Sequence, residues 1–328
     1  MSVKTRVLGK TGYQVSEIGL GCWQLGNDFG PVEDAEARAI LQAGLDSGVR
    51  FFDTADVYGS GLSESRIGAW CRSLATPPIV ATKVGRSAEL YPNGYSKVAV
   101  KRSLQVSAQR LGVDTIDLAQ LHCVPRDVLF SGDMLAWMED FKKEGIIKHF
   151  GASVELLDEA QFCCTNPELA SLQILFNVFR QDAVDALFAQ VEENNIGVIV
   201  RLPLASGLLA GKMTVNDQFD KQDHRSYNQD GAAFHVGETF NGLPFAKGVA
   251  LVDELKNRLP AGHNILDVSL RWILDHPQVS SVIAGASRAS QVMRNASASD
   301  LAPLSDDVHA LLKAYYYDEV KGSIRGGV

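Results

Sequence analysis

The stretch Ile79-Val-Ala-Thr-Lys83, the segment from Ser96 to Gly112, and then Ile116-Asp-Leu-Ala-Gln-Leu-His122 make one full structural repeat. Two short apolar runs, each ended by an ionisable residue, flank a segment where Val100, Leu104, Ala108 and Leu111 recur at steps of 4, 4 and 3. Runs that short predict buried parallel strands. The spacing between them predicts a helix, capped by Ser96 and closed by Gly112.

The same unit recurs outward from there. Further apolar runs lie at 18–20, 50–53, 147–151, 171–175, 197–201 and 281–284. Helical stripes fall between them: Ala37, Ile40, Leu41 and Leu45; Leu135, Met138 and Phe141; Ala183, Leu187 and Val191. Strand ends near 53, 83, 122, 151, 175 and 201 keep the rhythm of βα units, eight of which close a (β/α)8 TIM barrel of about 250 residues. The rival is an open doubly wound sheet, whose first strand leads into G-x-G-x-x-G. Here Gly19-Leu-Gly21 is followed by Gln24 where the third glycine belongs. The expectation is a single α/β barrel domain over 1–328. An N-terminal β-hairpin precedes it (6–8, a turn at 9–12, 15–18), and a long loop over 212–247 follows strand seven. A structureless connection of that length is usually a lid or binding loop. Helices are expected beyond it at 249–259, 265–275 and 306–317.

Composition narrows the function. The 328 residues carry 31 Lys+Arg against 39 Asp+Glu, a net charge of −8, with no basic run, which argues against nucleic acid as a partner. No apolar stretch approaches the ~18 residues of a membrane span, and the first residues lack the apolar core of a signal peptide. Five cysteines without metal-ligand spacing read as free thiols in a reducing compartment, so a cytoplasmic protein is expected. Asn295-Ala-Ser297 fits a glycosylation pattern that such a protein does not use. Gly9-Lys10-Thr11 lacks the first glycine of a P-loop, and 207–212 is one spacer short of it. Clustered His and carboxylate ligands for a metal hydrolase are absent too.

In a barrel, chemistry sits at the C-terminal ends of the strands. Asp53, Lys83 and His122 end strands two, three and four, and Tyr58 follows Asp53 in a loop before Ser63, the expected cap of the next helix. Asp53 can serve as counter-charge to Lys83. A cation beside a phenol favours the phenolate. At ~4 Å and an effective dielectric of ~20 the attraction is roughly 4 kcal/mol, enough to bring the Tyr58 pKa from about 10 towards neutrality. Such a tyrosine can protonate a carbonyl or take a proton from an alcohol, with His122 orienting the oxygen. Cys123 beside His122 suggests a nucleophile pair, but neighbours on a strand face opposite sides.

The run Asp53-Thr-Ala-Asp-Val-Tyr58-Gly59-Ser-Gly61-Leu-Ser63-Glu64, with Thr82-Lys83 and Leu121-His122, resembles the aldo-keto reductase superfamily. The likeness extends from the hairpin through Asn295. It implies a (β/α)8 barrel that reduces small aldehydes, ketones or sugar-like carbonyls with NADPH and no metal. Tyr58 would be the acid/base, Lys83 and Asp53 its tuning pair, and His122 the group aligning the carbonyl. It also implies a cofactor set. Ser153 and Gln173 look like the nicotinamide amide contacts. Pro203, Leu204, Ser206, Gly207, Leu209, Gly211 and Lys212 lie in the pyrophosphate segment. Gly285, Ser287, Arg288, Gln291 and Asn295 form the adenosine end, with Arg288 reading a 2′-phosphate. Gly21 and Trp23, after the first strand, complete it, Trp23 also serving as pocket wall.

Two positions depart from the common pattern. Val154 replaces an asparagine after Ser153. Arg201 replaces an aromatic residue at the end of strand seven, where its charge would oppose the oxidised nicotinamide. Potassium-channel β-subunits look similar as well, so an NADP-binding regulatory subunit is the alternative to an enzyme. The oligomeric state is left open.

Overall fold

The computed structural model describes residues 3–327. Strands β1 (Thr5–Val7) and β2 (Gln14–Ser16) pair antiparallel as the hairpin. Eight strands follow: β3 (Ile18–Gly21), β4 (Phe51–Asp53), β5 (Ile79–Val84), β6 (Ile116–His122), β7 (Ile147–Ser153), β8 (Ser171–Leu175), β9 (Gly197–Arg201) and β10 (Val279–Gly285). They pair in sequence order, all parallel, and β10 returns to β3 through Val282 and Ile18 to close the barrel.

The two-residue period of a strand sorts the barrel into levels. Phe51, Ala81, Leu118, Ile199 and Ile283 point inward and form one apolar cluster with Leu8 and Val15 of the hairpin. The hairpin therefore plugs the N-terminal end. One step along each strand the inward side chains become Asp53, Lys83, Gln120, Gln173 and Arg201, all buried. The outward set, among them Phe52, Ala119, Leu121, Phe150, Val198 and Val200, belongs to the larger core under the helices.

The helices form largely as their apolar stripes require. Lys97–Leu111 begins with the Ser96 side chain accepting from the Ala99 N–H and ends at left-handed Gly112. Two segments differ from expectation. Ala183, Leu187 and Val191 lie on two short helices, Ala183–Ala186 and Phe188–Glu193, because the Leu187 backbone (φ −131°) breaks the run. The final helix stops at Tyr315 and widens into a π-turn, Tyr316–Val320, whose tyrosines pack and hydrogen bond: Tyr315 Oη donates to Leu251 O at 2.7 Å.

The long segment after β9 is ordered. It holds the 3-10 turn Ala205–Ala210, the short helix His224–Tyr227 and the turns Val236–Glu238 and Phe240–Gly242, before the helix Phe245–Arg258. Residues 325 and 326 fasten it from outside. Arg325 donates to Gly242 O (2.8 Å) and Gln229 O (2.7 Å) and pairs with Asp230 at 2.6 Å; the His235 ring meets Gly326 O at 2.9 Å.

Hairpin and barrel floor touch through glycine. A Cβ on Gly197 would lie 2.6 Å from Leu8 Cδ1 and 2.9 Å from Gly9 N. Gly197→Ala must push the plug out, so it is expected to lower unfolding free energy by about 1–3 kcal/mol in urea titration. Gly322→Ala, with open space around it, should leave the urea midpoint unchanged.

Candidate active site

The inward polar level converges on Lys83. Its Nζ donates to Asp53 Oδ1, to Thr54 O (2.8 Å) and to Tyr58 Oη (3.3 Å), which uses all three of its protons. Asp53 Oδ2 in turn accepts from Gln120 Nε2 (3.1 Å) and Gln173 Nε2 (2.7 Å), and Gln173 Oε1 accepts from Ser153 Oγ at 3.3 Å. The pair is thus sheathed in amides, as buried charges must be. Burial disfavours the ammonium, yet Asp53 facing it raises the Lys83 pKa above lysine's ordinary value.

Tyr58 is delivered by a tight turn. Gly59 (φ +56°) lies so close to the loop after β3 that a Cβ would sit 2.2 Å from Gly26 O, so the turn requires glycine there. Ser63 does not cap the following helix; Gly61 holds that position. Ser63 Oγ instead donates to Cys22 O and accepts from Thr54 Oγ1, both at 2.8 Å, tying the first two strand ends together. Glu64 is buried, accepting from Thr82 Oγ1 at 2.5 Å and from Arg110 at 3.1 Å.

The Tyr58 phenol runs against expectation. Burial pushes its pKa up to about 12; Lys83 pulls it down, and Asp53 pushes it back up. The cation does not act alone, because its field at the hydroxyl is offset by the carboxylate paired with it. His122 stands edge-on to Tyr58, ring centroids 5.9 Å apart. Burial, with Arg86 and Lys83 nearby, holds the imidazole well below its usual range, so it is neutral. Its Nδ1 has no hydrogen-bond partner among the described residues. Cys123 is no nucleophile: burial pushes its thiol up to about 11, and its Sγ lies 3.7 Å from Ser153 Oγ.

A cleft of about 440 Å³ opens over this group and runs to the start of the helix Ala289–Ala296. Every residue expected to hold a cofactor lines it except Leu209, Gly211 and Arg288. Leu209 is fully buried in the core, and Gly211 (φ +73°) turns the chain against Ile265. Arg288 is the exposed N-cap of the helix and borders an outer groove with Glu33 and Glu36. Trp23 stacks on Tyr58 at 5.7 Å and meets Phe29 edge-on at 5.0 Å.

Sequence reasoning missed the contributions of the loops. Gln24, Phe29, His224, Arg225 and Glu238 also line the cleft, and only the length of the loop over 212–247 signalled that some of it would. Glu238 alters the reading of Arg201. Arg201 Nη1 pairs with Glu238 Oε2 at 3.2 Å and Nη2 donates to Val154 O at 3.0 Å, so its charge is already faced by a carboxylate. The Val154 side chain lies in the core, not the cleft. Cys123, Glu155 and Glu238 cluster as metal donors would, but Arg86 and Arg201 hold the carboxylates, and two guanidiniums oppose a further cation. Ultraviolet titration of wild type minus Tyr58→Phe should show no Tyr58 phenolate below the ordinary tyrosine pKa of about 10. A difference signal near neutrality would mean that Lys83 outweighs burial.

Known proteins similar to this chain identify its family. The model of the aldo/keto reductase family matches residues 17–316. An uncharacterized oxidoreductase of Bacillus subtilis, YqkF, is 28% identical over 97% of this chain and 98% of its own length. The L-galactose dehydrogenase of Arabidopsis thaliana is 28% identical over 90% and 88%. A probable voltage-gated potassium channel subunit beta from the same plant is 29% identical over 90% and 91%. The holo form of the aldo-keto reductase AKR11C1 from Bacillus halodurans superposes with a TM-score of 0.77 at 26% identity, covering 95% and 96% of the chains. An aldo-keto reductase from Klebsiella pneumoniae solved in complex with NADPH gives 0.70 at 25% identity, over 96% of each. With a match over nearly its whole length and a barrel of the same closure, the chain belongs to the aldo/keto reductase family.

Proposed function

We propose that the protein is an NADPH-dependent carbonyl reductase, reversibly reducing small aldehydes, ketones or sugar-like carbonyls, with Tyr58 as general acid/base. The observation that carries this reading is the Tyr58 hydroxyl 3.3 Å from Lys83 Nζ, at the floor of a cleft shared with neutral His122.

The cleft suits NADP(H), the cofactor of the family. At the end where Asp53, Tyr58, Lys83 and His122 form a tetrad, Ser153 and Gln173 present a hydroxyl and an amide to a carboxamide. At the far end Lys212 and the helix start near Ser287 offer charge and dipole to phosphates. Bound there, the cofactor supplies the hydride. The residues supply the rest. Tyr58, protonated at neutral pH, gives its proton to the carbonyl oxygen as negative charge develops there, and Lys83 stabilises the phenolate left behind. Asp53 holds Lys83 in place, and an N–H of the neutral His122 ring donates to the same oxygen, fixing its approach. Trp23 covers the site and keeps water from it. In the oxidative direction Tyr58 must lose its proton first, so alcohol oxidation should rise with pH where reduction of an uncharged aldehyde stays flat.

Tyr58→Phe should lower kcat for aldehyde reduction by about 10²- to 10⁴-fold while NADPH affinity, read by cofactor fluorescence, changes little. Retained turnover would remove Tyr58 from the acid role. The likeness to a channel β-subunit favours a second reading, a cofactor-binding regulatory subunit. Tight NADPH binding with no absorbance change across a panel of aldehydes and sugars would favour it.

A further inference from the structure

The turn that delivers Tyr58 is strained. Gly59 (φ +56°) and Ser60 (φ +54°) are consecutive left-handed residues, and a serine keeps that conformation only where its surroundings impose it. Part of what imposes it comes from a different connection. Asp28, in the loop after β3, accepts the Gly59 N–H on Oδ2 at 3.1 Å. That amide immediately follows Tyr58 and has no other partner among the described residues. The carboxylate lies over the tightest approach between the two loops. A Cβ on Gly26 would sit 2.5 Å from Gly59 N and 2.6 Å from Asp28 Oδ2. The Trp23 indole N–H is turned to the same carboxylate, and the Trp23 ring stacks on Tyr58.

The loop that carries Asp28 is itself braced. Asn27 Oδ1 accepts from Val32 N at 3.0 Å and from Arg66 Nη1 at 3.1 Å. Arg66 also donates to Leu25 O (2.7 Å) and Val32 O (2.6 Å) from the helix Leu62–Cys71, which follows the Tyr58 turn. Arg66 thus supports the loop backbone, while Asp28 is the side chain that reaches the turn.

We propose that Asp28 is a positioning residue for the reaction, one carboxylate that fixes both the Tyr58 turn and the Trp23 wall. The inference rests on the carbonyl-reductase reading and deepens it. Tyr58 Oη must meet the carbonyl oxygen while staying within reach of Lys83, so slack in its turn lowers the rate of proton transfer.

The charge of Asp28 matters, because hydrogen bonds to an ionised acceptor are the stronger ones. Burial pushes its pKa up to about 6, against the pull of Gly59 N–H and Trp23. The neighbouring cations are engaged elsewhere: Arg66 pairs with Asp34 at 2.8 Å, and Arg225 pairs with Asp223. His224, which packs on Trp23, is lowered to about 4 by burial and is neutral. Tyr227 keeps its proton, its pKa raised by burial and by Asp28 itself. As pH falls through about 6, Asp28 takes up a proton and its hold on the turn weakens. Folding stability moves the other way. A folded-state pKa above the unfolded value means that ionisation costs stability, and that cost disappears as pH falls through the same range.

The test is Asp28→Asn, which keeps an acceptor oxygen and removes the charge. Its kcat for butanal reduction with NADPH should be lower by about tenfold at neutral pH, while its urea midpoint equals or exceeds that of wild type. Wild-type kcat should fall towards the variant's value below pH of about 6, and the variant should lack that limb. Unchanged kcat, an acid limb that survives the substitution, or a lower urea midpoint alongside the lower kcat overturns the proposal. Tryptophan emission decides it without turnover. The difference between wild type and Asp28→Asn should titrate with a midpoint near 6, from the indole beside the carboxylate. A flat difference overturns the tie even if aldehydes react. A midpoint near 6 in a protein that reduces no aldehyde would uphold the tie and count against the reductase reading instead.

Discussion

Lys83 and Asp53 are both withdrawn from water at the centre of the barrel mouth, where an unpaired charge would cost several kcal/mol. The surrounding structure is arranged so that neither is bare. Thr54 O and Tyr58 Oη take the remaining ammonium protons, and Gln120 and Gln173 donate to the carboxylate. Those partners come from the connection after β4 and from β6 and β8, so the pair holds strands on opposite sides of the barrel in register. It also explains why the barrel interior changes character halfway up: the apolar plug below excludes water, and the polar level above has nowhere to find partners except within itself.

Site and fold share these constraints. Ser63, Glu64 and Thr82 lie behind the tetrad rather than in it, yet they fix the strand ends from which Asp53 and Lys83 project. Gly59 lets the Tyr58 turn nest against Gly26, at the base of the loop that carries Trp23 and Phe29. The positions that place the hydroxyl are therefore spread over several βα connections, and the precision of the site comes from the closed sheet beneath.

Much of this was legible in the chain, for particular reasons. A strand period of two, with ionisable residues ending three successive apolar runs, was enough to locate Asp53, Lys83 and His122. The motif around Tyr58 added the fourth. What escaped depended on contacts between segments far apart in sequence. Arg86, Glu155 and Glu238 look like ordinary loop charges until the barrel brings them together. The direction of the Tyr58 shift escaped because it is a sum, in which burial and Asp53 exceed the pull of Lys83. Leu187 shows the local limit: its stripe has helical spacing, but its backbone leaves the helical region and splits the run in two.

Closure itself has a consequence for the order in which the molecule is made. β3 finds one neighbour in β4 soon after it is synthesised, but its other edge is satisfied only by β10, through Val282 and Ile18. Until β10 has emerged, that edge offers unpaired amide and carbonyl groups to anything that can add a strand. The nascent protein thus carries an unpaired strand edge at its first barrel strand. A loss of pairing at β10 would expose that same edge again in the finished molecule, one strand away from Asp53.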